Sequence, residues 1–143
     1  MTRRVALAAL GALGTLASGT LVTAGCRRVA RCASCGMALD PTSRWYAEVT
    51  LGGRTEGFDT PKCALRWRLG PGSGGALSVR GYYGQQKLAG EDVVFAVGSD
   101  VLGPMGADLV PVEPVHEAKF RSEHHATSMK KLAELTAALI EAT

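Results

Sequence analysis

Aromatic residues are scarce, at 6% of the 143-residue chain, so any core has to be built mainly from Val, Leu and Ala. The common catalytic signatures are missing as well. There is no serine elbow, no phosphate-cradling glycine loop followed by Lys-Ser/Thr, no His-Glu-x-x-His and no paired-carboxylate motif. The chain is therefore read as a non-enzyme. A dense positive face is also lacking: the formal charge is only +3, and the basic residues nowhere cluster with aromatics. Nucleic-acid binding depends on such a face to displace counterions, so it is not expected. The length leaves room for one compact unit rather than two large domains.

What is present begins with a leader over residues 1–25. Arg3 and Arg4 form a positive start, Val5 to Val22 is an uncharged run, and the small residues Ala24 and Gly25 precede Cys26. This is the layout of a secretory signal cut before a cysteine that then receives lipid. A transmembrane anchor is the competing reading, but the run is rich in Gly and Thr and stops abruptly at Ala-Gly-Cys. The expectation is an exported lipoprotein, held by Cys26 at the periplasmic face of the inner or outer membrane. Residues 26–31 form a short basic tether, suited to anionic head groups.

Export changes the meaning of the cysteines. With Cys26 lipidated, Cys32, Cys35 and Cys63 remain, and an odd number cannot be fully paired within one chain. Cys32-x-x-Cys35-Gly36-Met37 is a knuckle that can point two sulfurs at one metal, with a thioether beside it. Asp59-x-x-x-Cys63 lies at a predicted helix start, which places both side chains on one face. There the helix N-terminus is expected to favour a thiolate. Asp59 is a candidate oxygen donor. Zinc, Cu(I) and a plain disulfide all accept this pattern, so a zinc-knuckle interaction module and a disulfide-stapled lipoprotein without metal stay open. Met105, at the tip of Gly103-Pro104-Met105-Gly106, is a soft donor selective for Cu(I). Among the histidines, His124 is a candidate ligand, whereas His116 and His125 read as solvated. Asp100 and Asp108 are expected simply to solvate the Met105 loop.

The element order indicates an α+β fold over residues 32–143. Trp45 to Leu51 and Arg54 to Phe58 form a hairpin across Gly52-Gly53, and a helix capped by Asp59 or Thr60 runs from Pro61 to about Leu69. Residues 70–75 read as a linker between halves of about 32–69 and 77–143. Strands follow at Leu77 to Tyr83, Val93 to Val97 and Leu109 to Val112. Helices are expected from Pro114 to about His124 and, as a final amphipathic element, from Met129 to Ala142.

Taken in order, Cys26, Cys32 to Met37, Phe58 to Cys63, Val93 to Val97, Gly103 to Gly106 and Ala118-x-Phe120-x-x-Glu123-His124 resemble the NosL family, lipoproteins accessory to nitrous oxide reductase. The resemblance implies two similar ββαβ halves and a Cu(I)-binding metallochaperone that delivers copper to an extracytoplasmic copper enzyme. Cys32, Cys35, Met37 and Met105 match family motif positions. The implied partners are the membrane, through the lipid on Cys26, and a copper-acceptor protein or maturation complex. A monomer is expected.

Overall fold

The computed structural model describes residues 29–143. The leader, Cys26, Arg27 and Arg28 lie outside the described residues. Within them, no helix is long and apolar enough to cross a membrane.

Alternation along β1 (Ala47–Leu51) turns Ala47 and Val49 inward and leaves Thr50 exposed. Gly52 and Gly53, with φ of +57° and +78°, close a tight hairpin onto β2 (Arg54–Phe58). The next strand end leads directly into α1 (Pro61–Arg68). Thr60 caps it, its hydroxyl accepting from Cys63 N at 3.2 Å, and Pro61 takes the first-turn position that needs no N–H partner. Cys63, Ala64 and Leu65 are buried.

Residues 70–75 are the turn that joins α1 to β3 (Ala76–Arg80) within the first half, not a linker between halves. Gly72 N donates to Trp67 O at 2.9 Å and packs so closely on the Trp67 ring that a Cβ there would collide with it. β3 pairs antiparallel with β1 and stops at Arg80, short of the expected Tyr83. Beyond it lies β4 (Lys87–Ala89), which the apolar pattern did not reveal. The first sheet has the order β2-β1-β3-β4.

The second half repeats the plan. β5 (Val94–Val97) is central and β8 (Val110–Val112) lies on one side. After a 3-10 turn at Pro114–His116, α2 (Glu117–His124) leads to β9 (Ser128–Lys131) on the other side, giving the order β8-β5-β9. Each half is therefore ββαβ with its first strand in the middle, as expected. Between β5 and β8, the Gly103–Gly106 segment is the turn of a small hairpin, β6 (Leu102–Gly103) with β7 (Gly106–Ala107).

The expected helix from Met129 to Ala142 is not formed. Met129 pairs with Ala96 in the sheet, Leu132–Glu134 is a 3-10 turn, and Thr136 caps a short α3 (Ala137–Ala142). Leu132, Leu135 and Ile140 are nonetheless buried. They reach the core from the 3-10 turn, the extended residue after it and α3, rather than from one helix face. β5 is covered on both sides. Val93 and Phe95 join Val49, Phe58, Leu65, Leu77 and Ile140 in the main core, and Val94 and Ala96 pack with Val110, Val112 and Phe120 in a second. A strand covered on both faces has a continuous apolar run, as seen here.

Candidate metal centre

The knuckle is built by its backbone. Cys32 N donates to Met37 O at 2.8 Å, Gly36 N donates to Cys32 O at 2.9 Å, and Arg31 pairs with Ala38 across the base. Gly36 takes φ +77°, the left-handed conformation that glycine adopts without steric cost. The loop rests against β2 through Ala33 N to Gly57 O. Cys32 is thereby turned inward and buried, while Cys35 sits at the exposed tip.

Opposite the knuckle, the β2–α1 junction supplies Asp59 and, one helical turn on, the buried Cys63. One ligand atom from each of Cys32, Cys35, Asp59 and Cys63 lies within 4.8 Å of the others. All three thiols are free. Asp59 Oδ1 accepts from the Cys35 thiol at 3.3 Å, and Asp59 Oδ2 is buried with no hydrogen-bond partner. A buried, half-satisfied carboxylate beside three sulfurs is costly unless a cation joins it.

Thiol acidity runs against the helix-terminus expectation. Burial pushes the Cys63 thiol well up, and the neighbouring Asp59 carboxylate and Cys32 add to the effect. Burial likewise raises Cys35, helped by Cys32 and Asp59 against a backbone hydrogen bond from Met37. Desolvation and a like charge outweigh the helix N-terminus here. Cys35 and Cys63 therefore keep their protons until a cation displaces them.

Met37 is exposed on the knuckle, and Met105 is exposed at the turn of the β6–β7 hairpin. That hairpin is tied to the cysteine region, because Asp108 Oδ1 accepts from Lys62 N at 3.0 Å and from Leu109 N at 2.7 Å, and Lys62 Nζ donates to Ala107 O. Asp108 is 3% exposed and does not solvate the loop. It binds the loop base to the start of α1. Asp100 is likewise engaged, accepting from His124 Nδ1 at 2.9 Å. The Tyr82 hydroxyl meets His124 Nε2 at 3.2 Å, and the imidazole packs on Phe120. With the proton on Nδ1, both ring nitrogens are engaged. His124 is not brought into the cysteine cluster.

Sequence reasoning missed a second knuckle. Gly81 N donates to Gln86 O and Gln85 N to Gly81 O, both at 3.0 Å, with Gln85 at φ +57°. These bonds repeat those of Cys32–Met37 position for position, so Gly81 and Gly84 stand where Cys32 and Cys35 stand in the first loop. Glu113, before Pro114, takes the place of Asp59. Its carboxylate accepts from Gly84 N at 2.9 Å, Tyr83 N at 3.4 Å and Gln86 Nε2 at 3.3 Å. Burial opposes its charge, but these donors outweigh it and hold the carboxyl below its ordinary value. His116 Nδ1 lies 3.8 Å from Glu113 Oε2. The available signal was Gly81-x-x-Gly84, with the same step as the cysteine pair.

Comparison with known proteins bears on this arrangement. A family model described as NosL matches residues 25–140. Among solved structures, the chain is similar to the copper chaperone NosL from Shewanella denitrificans, with a TM-score of 0.63 and 16% identity, over 76% of this chain and 90% of that one. No curated protein matches the chain in sequence. The family match spans most of the chain, from just before Cys26 through both knuckles, and the chain belongs to the NosL family.

Proposed function

We propose that this protein is a membrane-anchored Cu(I) metallochaperone that passes copper to an extracytoplasmic copper enzyme, in the first instance nitrous oxide reductase. One observation carries the reading: three thiols and a buried carboxylate with one unpartnered oxygen converge within 4.8 Å. A donor set dominated by sulfur is soft and suits Cu(I). Family membership and the likeness to a copper chaperone support it.

The chemistry follows from burial. Cu(I) enters at the exposed Cys35 and Met37, and each thiol that binds releases its proton to water as the S–Cu bond forms. Buried Cys32 and Cys63 hold the ion, and Asp59 offsets its charge. Met105, on a hairpin pinned beside α1, supplies a neutral thioether that detaches without unfolding the core. Transfer proceeds by exchange of these ligands, one at a time, with those of the acceptor. Cys26 carries the lipid that keeps the chain at the membrane.

Titration of the mature chain with Cu(I) against a competing chelator tests this. About one ion is expected per chain, with weaker binding in Met105→Ala. No binding against a micromolar competitor contradicts it. A zinc site is the second reading, favoured because Cys32, Cys35, Cys63 and Asp59 alone offer the four donors that a structural zinc takes. It requires zinc in the purified protein, unfolding by chelator and an indifferent Met105.

A further inference from the structure

The three thiols of the cluster are free, and their sulfurs lie within 4.8 Å of one another. Closing an S–S bond of about 2 Å between two of them calls for a shift of no more than about 3 Å. The three are not equivalent. Cys35 is exposed, whereas Cys32 and Cys63 are buried, so a reagent from solvent meets Cys35 first. Cys32 stands on the same loop, whose ends are drawn together by Gly36 N to Cys32 O and Cys32 N to Met37 O. Cys63 belongs to a different element and is held in the first turn of α1 by the Thr60 cap. Cys35 is also the thiol that donates to Asp59 Oδ1, while Oδ2 has no partner. Oxidation of Cys35 takes that donor away from a buried carboxylate. A disulfide formed at such a cost reopens readily, unlike a structural staple.

We propose that the cluster is gated by redox: without metal, Cys32 and Cys35 close into a reversible disulfide, and copper is accepted only once it has been reduced. The oxidant is a disulfide, RSSR, of low molecular weight. The ionised fraction of Cys35 attacks one of its sulfurs, forming Cys35–SR and releasing RS⁻, which takes up a proton. The ionised Cys32 sulfur then attacks Cys35, expels the second RS⁻ and leaves the internal disulfide. Two thiols are thereby oxidised, and RSSR is reduced to two RSH. Of the four converging donors only Cys63 and Asp59 remain, too few to hold Cu(I) firmly. Bound copper in turn occupies the sulfurs and keeps the gate open. The gate rests on the copper reading of the site, and its test separates the two.

The metal-free mature chain is equilibrated without oxygen in reduced or oxidised glutathione, quenched in acid, unfolded, alkylated and mapped by mass spectrometry. Oxidised glutathione should remove two hydrogens, link Cys32 to Cys35 and leave Cys63 to be alkylated, and reduced glutathione alone should reverse the change. After the glutathione is removed, the oxidised chain should bind Cu(I) more than about 100-fold more weakly than the reduced one in chelator competition. The copper-loaded chain should keep all three thiols in the oxidised buffer. Thiols that persist without metal, a glutathione adduct left on Cys35, a bond to Cys63, or equal copper binding by both forms overturns the gate and leaves the chaperone standing. A reduced chain that binds no copper overturns the chaperone and the gate with it.

Discussion

In the first half, the loop Cys32–Met37 folds over three thiols and a carboxylate with one oxygen unpartnered. In the second, Gly81–Gln86 makes the same backbone bonds around Glu113, whose carboxylate is engaged by two backbone N–H groups and an amide. A Cβ at Gly81 would run into that carboxylate, so the space that sulfur occupies in one loop is filled by oxygen in the other. Loop geometry alone therefore does not make a metal site. The first loop gathers three thiols beside a carboxylate with an unpartnered oxygen, whereas the carboxylate of the second is taken up by N–H donors of its own fold.

The largest test of this contrast is Cys63→Ser. It removes a buried donor from the first loop and should weaken Cu(I) binding by more than about 100-fold in chelator competition, beyond the range of a supporting residue. The counterpart, Glu113→Ala, should leave copper stoichiometry at one. It strands the Gly84 and Tyr83 N–H groups and should cost about 3 kcal/mol in urea unfolding.

A third test uses the contact between the halves. Burial raises the Asp108 carboxyl from 3.8 to about 6, against the backbone donors Leu109 and Lys62. The folded state therefore holds this proton over a range where the unfolded chain has lost it. Stability should fall as pH rises from about 4 to about 6, by on the order of 2 kcal/mol. Asp108→Asn should flatten that fall in denaturant titrations across the range.

Asp59→Asn sharpens the comparison from the other side. Removing the charge that helps to raise Cys63 and Cys35 should lower both thiols, and alkylation of the exposed Cys35 at pH 8 should run several-fold faster than in the parent. The smallest effect is expected from Gly36→Ala. Nothing lies within 4 Å of the added methyl, so only the +77° φ is penalised, at about 1 kcal/mol in thermal unfolding.

Legibility in the sequence followed the range of the forces involved. The first hairpin and α1 were readable because Gly52-Gly53, Thr60 and Pro61 act on their immediate neighbours. The cysteine knuckle was readable for the same reason. β9 was not, because Ser128-Met129-Lys130-Lys131 has no alternation of its own and becomes a strand only because the edge of β5 needs a partner. Leu132, Leu135, Leu139 and Ile140 imitate a helical stripe, yet Thr136 starts a new helix in their midst. Asp108 looked like a solvated loop acid because the N–H it caps lies forty-six residues earlier in the chain. The Cys63 thiol was misjudged similarly: a helix start is visible locally, whereas the burial and the Asp59 charge that overrule it belong to the folded structure.

An anomalous-scattering map at the copper edge, from crystals of the copper-loaded chain, tests the central claim most directly. One peak should stand among the sulfurs of Cys32, Cys35 and Cys63, with nothing at Glu113 and His116. A peak in the second loop, or full occupancy at a position clear of all three cysteines, would contradict the account.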